Sequence, residues 1–291
     1  MVLRQLEYLS ALARERHFGR AAAACHVTQP ALSVAIRKLE TELGVELVRR
    51  GRGYDELTPP GERLLQWARQ TLASADGLLA EASRLSGELS GRLRLGVIPT
   101  ALPAVAEITA PLLQDHPSLD LEIRSFSSQE IAGQLESFAI DAGITYLDNE
   151  PIGSMVGLPL YRERYVYLTA GRGREKRLRW AALDGASLCL LTPEMQNRRI
   201  VDAALRRSGA SARARIESNS ITALLSYARA GWSSVVSETW LNLYGVPPGM
   251  RAIPLVEPDV APTIGIVTRD TELQPPAVGA LLEGADRLVL A

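Results

Sequence analysis

The sequence predicts a chain of three parts: a small domain of three short helices closed by a hairpin, one long helix, and a larger α/β domain. Three observations carry that prediction. Residues 1–58 hold closely spaced helical patterns, followed by two short apolar runs around a glycine-rich turn. Residues 59–90 place an apolar residue at every third or fourth position without a break. From residue 91 onward, strand-like apolar runs alternate with helical ones, which argues for an α/β architecture with mainly parallel sheets.

In the first part, Leu3, Leu6, Leu9, Leu12 and Ala13 share one helical face, giving a helix over about residues 2–15. A second short helix fits about residues 19–25. "HVT" interrupts it. Thr28 then stands where a helix cap is needed, and Pro30 falls in the first turn, where a missing N–H costs little. The third helix runs to Leu43, and Gly44 is a natural stop. Three short helices with a tight corner before the third make a helix-turn-helix plan. Val45–Val48 and Glu56–Thr58 fit two short strands around "RRGRG", a wing that carries Arg49, Arg50 and Arg52.

Pro59 and Pro60 can open the long helix. Leu65, Ala68, Leu72, Ala75, Leu79 and Ala82 are spaced alternately three and four apart, a heptad seam with leucine at one position and alanine at the other. So narrow a seam on so long a helix predicts a partner helix, and the alanines let it approach closely.

Composition narrows the function classes. The chain has 291 residues, 46% hydrophobic and 22% charged, which is ordinary for a globular protein. A net charge of −1 excludes a globally basic, nucleic-acid-coating protein but not a local basic surface. The two cysteines, Cys25 and Cys189, lie far apart and predict neither a disulfide framework nor, with three histidines, a metal site. "MVLRQLEYLSALARER" has no apolar core segment, so it reads as no signal peptide, and no apolar run approaches the ~20 residues needed to span a bilayer. The expectation is a reduced, cytoplasmic protein without metal or cofactor. "GRGYDE" and "GRGREK" lack the third glycine of a dinucleotide loop. G-x-S-x-G and a complete phosphate-binding loop are absent, so no catalytic residues are assigned and an enzyme is not expected.

Residues 2 to 65 carry, in one order, "AA", "TQPALS", "I-x-x-LE-x-x-LGVELV-x-R" and "LT-x-x-G". In these motifs the chain resembles the LysR-type transcriptional regulators. The resemblance implies a winged helix-turn-helix domain over 1–58, a linker and dimerisation helix over 59–90, and an effector domain over 91–291. The effector domain would be built like a small periplasmic binding protein, with subdomain I at about 91–160 plus 268–291 and subdomain II at about 161–267. It further implies a bacterial regulator bound to promoter DNA with an inverted repeat. Such a regulator is controlled by a small molecule, assembled from homodimers into a homotetramer, and able to contact RNA polymerase.

In the third helix, Leu32, Ile36, Leu39 and Leu43 cluster on the core side. The opposite side offers Thr28, Gln29, Pro30, Ser33, Val34, Arg37 and Lys38 to DNA. Gln29 suits the N6/N7 edge of adenine, Ser33 a base edge or phosphate, and Arg37 and Lys38 phosphate or guanine. Val34 is either a thymine-methyl contact or a bystander at the groove edge; many family members have a polar residue there. Arg52, between two glycines, fits a narrow minor groove, and Arg50 a phosphate.

In the α/β part, small polar groups stand at strand-to-helix junctions, where free N–H groups suit anions. The candidates are Pro99, Thr100, Ala101, Ser127, Ser128, Asn197 and Asn219, with Tyr146 at a strand end. The predicted effector is a small anion or carboxylate. "ESNSITALLSYARAGWSSVV" faintly resembles regulators linked to formate dehydrogenase operons and points towards formate or a similar acid. The alternative is a cytoplasmic solute-binding or redox-sensing protein of the same architecture.

Overall fold

The computed structural model describes residues 1–49, 56–148, 155–171 and 173–289. It forms two compact units, one of residues 1–91 with 136–139, the other of residues 92–135 and 140–291.

The first unit opens with α1 (Leu3–Glu15), α2 (Phe18–Ala24) and α3 (Gln29–Leu43). His17 caps α2, its Nδ1 accepting from the N–H groups of Gly19 at 3.0 Å and Arg20 at 3.3 Å. Thr28 caps α3 by accepting from Ala31 N–H at 3.4 Å, and Gly44, with φ at 66°, ends it in the left-handed region that glycine favours. Leu6, Leu9, Leu12, Ala21, Leu32, Ile36 and Leu39 fill the core between the three helices.

The wing strands β1 (Val48–Arg49) and β2 (Glu56–Leu57) pair antiparallel and are shorter than the sequence predicts. The Glu40 carboxylate accepts from the N–H groups of Leu47 at 2.9 Å and Val48 at 3.1 Å, so a side chain holds the approach to the hairpin. Residues 50–55, with Arg50 and Arg52, lie outside the described residues.

The helix α4 (Pro59–Leu85) starts at a Thr58 cap, which accepts from Gly61 N–H at 3.0 Å. Gly61 is required by its neighbour: a Cβ there would run into the Leu47 carbonyl oxygen. At 27 residues α4 is about 40 Å long. Its predicted seam divides in two. Leu65 and Ala68 are buried in the core of their own unit and Leu72 packs partly against it, because the first turns of α4 close the three-helix domain. Further along, Leu79 is 68% exposed, beside Leu78 at 71%, while Ala75 is half-buried and Ala82 exposed.

The second unit has two lobes. The first holds β3 (Gly91–Val97), α5 (Leu102–Asp115), β4 (Leu119–Ser125), α6 (Ser128–Glu136), β5 (Ala142–Tyr146) and β6 (Met155–Arg162). The chain then crosses to β7 (Tyr165–Ala170), β8 (Leu178–Arg179), β9 (Ser187–Leu191), α7 (Gln196–Arg207), β10 (Arg213–Ser218), α8 (Ile221–Arg229), β11 (Ser233–Ser237), α9 (Glu238–Tyr244) and β12 (Met250–Val256). It returns through β13 (Thr263–Arg269) and α10 (Pro276–Val289). The sheets run β4-β3-β5-β13-β6 and β10-β9-β11-β7-β12-β8.

Two expectations need correction. The second crossing lies before Thr263, not after residue 267, because β13 pairs with β5 and β6 of the first lobe. The sheets are mixed rather than mainly parallel: β13 runs antiparallel to β5 and β6, and β7 antiparallel to β11 and β12. The two passages between lobes bring these strands into their sheets against the direction set by the βα units. At the passages, Glu163 N–H donates to Pro262 carbonyl oxygen at 2.8 Å, joining one crossing to the other.

Candidate functional site

Two surfaces are candidates. The first is α3. Burial of Leu32, Ile36 and Leu39 fixes its rotation and leaves Thr28, Gln29, Pro30, Val34, Arg37 and Lys38 exposed, with Ser33 half-buried. Val34 is 63% exposed, an apolar group held in water. Arg37 donates to Ser33 Oγ at 3.4 Å, so these two side chains already lie together on the outer face. A helix end with a planar amide, a hydroxyl and two cations on one face suits the major groove, where amides and hydroxyls read base edges and cations neutralise phosphate.

The second is a pocket between the lobes of the α/β unit. Ile98, Pro99, Thr100, Ser127, Ser128 and Tyr146 line it from one lobe, and Leu191, Met195, Gln196 and Asn197 from the other. Its enclosed volume is about 10 Å³, close to that of one bound water, within a recess partly open to solvent, so it admits only a very small molecule. Six predicted positions are brought together here: Pro99, Thr100, Ser127, Ser128, Tyr146 and Asn197. Two are not. Ala101 is wholly buried in the turn before α5, and Asn219 is exposed at the end of β10, the edge strand of its sheet.

Behind the lining, three of these predicted residues meet at Glu163, which sequence reasoning missed. Glu163 is fully buried. Its Oε1 accepts from Tyr146 Oη at 2.7 Å, Tyr165 Oη at 3.0 Å and Asn197 Nδ2 at 3.3 Å. Thr100 Oγ1 is 3.2 Å from Tyr146 Oη. Burial pushes the Glu163 carboxyl up from the usual carboxylate range, although the bonds from Tyr146 and Tyr165 favour its charged form. Burial, and the nearby carboxyl, also hold both tyrosine hydroxyls protonated, so they remain donors. In the sequence Glu163 sits in "RER" and reads as part of a charged surface run, and the crossing strand that buries it is invisible there.

The lining contains no basic side chain. At the start of α6, the Glu130 carboxylate accepts from both the N–H and the hydroxyl of Ser127 at 2.8 Å, so an acid of the chain itself occupies that helix terminus. The Ser128 hydroxyl is buried and has no partner. Neither cysteine belongs to the pocket: Cys25 ends α2, Cys189 is buried in β9, and burial pushes both thiols up, away from the reactive thiolate. Among the described residues no cluster of His, Cys, Asp or Glu could hold a metal ion, and no helix is long and apolar enough to cross a membrane.

Comparison with known proteins covers both parts of the chain. Residues 3–62 match the bacterial regulatory helix-turn-helix protein, lysR family, and residues 86–287 match the LysR substrate binding domain. The chain is 33% identical over 278 residues to the DNA-binding transcriptional dual regulator OxyR of Escherichia coli K12, covering 92% of this chain and 90% of that one. It is 30% identical over 275 residues to the hydrogen peroxide-inducible genes activator of Haemophilus influenzae, covering 92% and 91%. Among solved structures, a full-length OxyR variant from Pseudomonas aeruginosa superposes with a TM-score of 0.78 at 28% identity, over 98% of this chain and 94% of that one. CbnR bound to its target DNA shares the fold, with a TM-score of 0.68 at 23% identity, over 99% and 100%. With its helix-turn-helix domain and its two-lobed α/β unit both matched, the chain belongs to the LysR family of DNA-binding transcriptional regulators.

Proposed function

We propose that this regulator reads promoter DNA through Gln29 and Ser33 of α3, holds its phosphates through Arg37 and Lys38, and is controlled by a small, uncharged polar molecule in the pocket between its lobes. The observation that carries the second half is the Ser128 hydroxyl: it lines the pocket, is buried, and has no partner. A buried donor left unmade costs about 1–3 kcal/mol, which a ligand oxygen placed there would recover.

The small carboxylate expected from the junction motifs is disfavoured. No cation lines the pocket, Glu130 already holds the α6 terminus, and a buried carboxyl stands behind Tyr146. A second negative charge would be desolvated among them without compensation. The relatives are named for hydrogen peroxide, not for an acid. If this chain answers peroxide, the pocket favours binding over thiol oxidation, because it contains no cysteine.

Assembly is proposed on two grounds. Leu78, Leu79 and Leu85 of α4 are each more than two-thirds exposed. The lobes are also oppositely charged, with 6 basic and 13 acidic residues in 91–162 plus 263–291, against 14 basic and 9 acidic in 163–262. A second copy set antiparallel would match these charges, so pairing through α4 and lobe-to-lobe contact together fit the dimer-of-dimers plan.

The test is a thermal-shift panel on the full chain, setting formamide, urea, glycerol and hydrogen peroxide against formate and acetate at constant ionic strength. A neutral compound is expected to raise the melting temperature. Ser128→Ala should lower its affinity about tenfold, matching ~1–1.5 kcal/mol for one hydrogen bond. A response to the carboxylates alone would refute the neutral-ligand reading. Loss of a peroxide response in Cys25→Ser or Cys189→Ala would place the signal on a thiol.

A further inference from the structure

Glu163 does something that neither a pocket wall nor a core residue needs to do. It lies on the short passage between β6 and β7, so its backbone belongs to neither lobe. Its N–H is bonded to Pro262 on the return passage. Its Oε1 gathers donors from both lobes: Tyr146 from the end of β5, and Tyr165 and Asn197 from β7 and α7. Tyr146 and Asn197 line the pocket, as does Thr100, which is bonded to Tyr146. A ligand that draws on these groups therefore competes with Glu163 for the same donors.

The other oxygen, Oε2, is buried and has no hydrogen bond of good geometry, but the Ser237 hydroxyl at the end of β11 stands close enough to favour the carboxyl's charged form. The Tyr161 hydroxyl of β6 is also buried without a partner, and it senses the Glu163 charge. The other groups facing Glu163 are hydroxyls and one amide. Its chain neighbours Arg162 and Arg164 are exposed, Glu107 of α5 acts on Tyr161, and among the described residues no cation is ion-paired with the carboxyl. A buried carboxylate of this kind depends on its donors to stay charged.

We infer that Glu163 is the positioning residue that links the state of the pocket to the arrangement of the two lobes, by gaining a proton when pocket donors are withdrawn and losing it when they return. The inference rests on the pocket reading above. The proton comes from solvent and adds to Oε2. No other bond forms or breaks, but one hydrogen-bond acceptor becomes a donor at the point where the lobes are joined. An ionised Glu163 holds Tyr146, Tyr165 and Asn197 on one atom. A neutral one holds them less firmly, which frees the lobes to shift.

The sign of the pH dependence follows. Burial raises the folded-state pKa of Glu163, so the stability it contributes is fully present below the ordinary carboxylate pKa and is lost as pH rises through the raised value. The experiment uses the full-length chain without added ligand, so it stands whether or not the thermal-shift panel finds an effector. Melting temperature and operator affinity are measured upward from about pH 5, above the usual glutamate pKa of ~4.3, for as long as the parent stays folded, for the parent, Glu163→Gln and Tyr146→Phe. The parent should lose melting temperature as pH rises, and its operator affinity should change by at least about fivefold over the same window, the lower end of ordinary coupling. Glu163→Gln keeps the acceptor but cannot titrate, so both slopes should flatten. Tyr146→Phe removes a donor to the charged form, so the midpoint should move to higher pH. Slopes unchanged in Glu163→Gln would overturn the inference. A flattened melting profile with an unaltered operator profile would reduce Glu163 to a structural role. Should Glu163→Gln fail to fold, an unmoved midpoint in Tyr146→Phe is equally fatal.

Discussion

Leu79→Glu is expected to lower operator affinity by at least about 100-fold while barely changing the melting temperature. Leu79 is 68% exposed on α4, so the substitution removes little from the core of its own unit. Surface changes of this kind usually stay within about 0.5 kcal/mol. In a paired helix, however, the same position faces its counterpart, and two carboxylates would be opposed across an apolar seam. Losing the pair means losing simultaneous engagement of two half-sites, which is worth about 10²–10⁴ in apparent affinity. Sedimentation should show a smaller species, and fluorescence anisotropy on an inverted-repeat operator should show the affinity loss. An unchanged assembly would mean that α4 is covered by something other than its copy. Leu72→Glu is a poorer probe, because Leu72 packs partly on its own domain and the substitution would also loosen the fold.

The double variant Arg37→Ala with Lys38→Ala should lose affinity for every DNA sequence alike. Both side chains are exposed on the outer face of α3, and neither takes part in an ion pair with an acid among the described residues. If each neutralises one phosphate, the slope of log affinity against log salt should fall by about 1.8, at ~0.9 per phosphate. The loss at low salt should reach tenfold or more and shrink as salt rises. Competition with random-sequence duplex distinguishes the roles. A loss confined to the operator would mean that these residues read bases, and no loss would remove them from the interface.

The first 60 residues were legible because local rules decide them. Thr28 caps, Gly44 stops, and the leucine spacing of α3 sets which face is buried as far as Leu39, all without knowledge of the rest of the chain; Leu43, expected on the same face, is 38% exposed at the helix end. Gly61 was visible as part of "LT-x-x-G", but its reason, the Leu47 carbonyl oxygen that excludes a Cβ, lies across the fold. In the α/β unit, strands and helices alternating as βα units were readable. Of the strands that flank the passages between lobes, β7 and β13 were readable and β6 and β12 were not. β6 contains Gly157 and Pro159, which argue against a strand, and it is tolerated because it lies at the sheet edge. β12 contains Pro254, placed where its pairing with β7 ends and that with β8 begins. Missing these strands misplaced the second crossing and hid Glu163, whose burial depends on them. Thr100, Ser128 and Asn197 were found because each lies at a strand-to-helix junction, and Tyr146 because it ends a strand. Asn219 obeys the same rule but follows an edge strand, so it faces solvent.

The most direct test of the account is selection of DNA from a random duplex library by the full-length chain, carried out in parallel with Gln29→Ala. The parent should enrich an inverted repeat with adenine preferred at one symmetry-related pair of positions. Gln29→Ala should enrich the same repeat with that preference relaxed, since one bidentate base contact carries about 1–3 kcal/mol of discrimination. An identical selected motif from both proteins, or no motif from the parent, would contradict the assignment of α3 as the element that reads DNA.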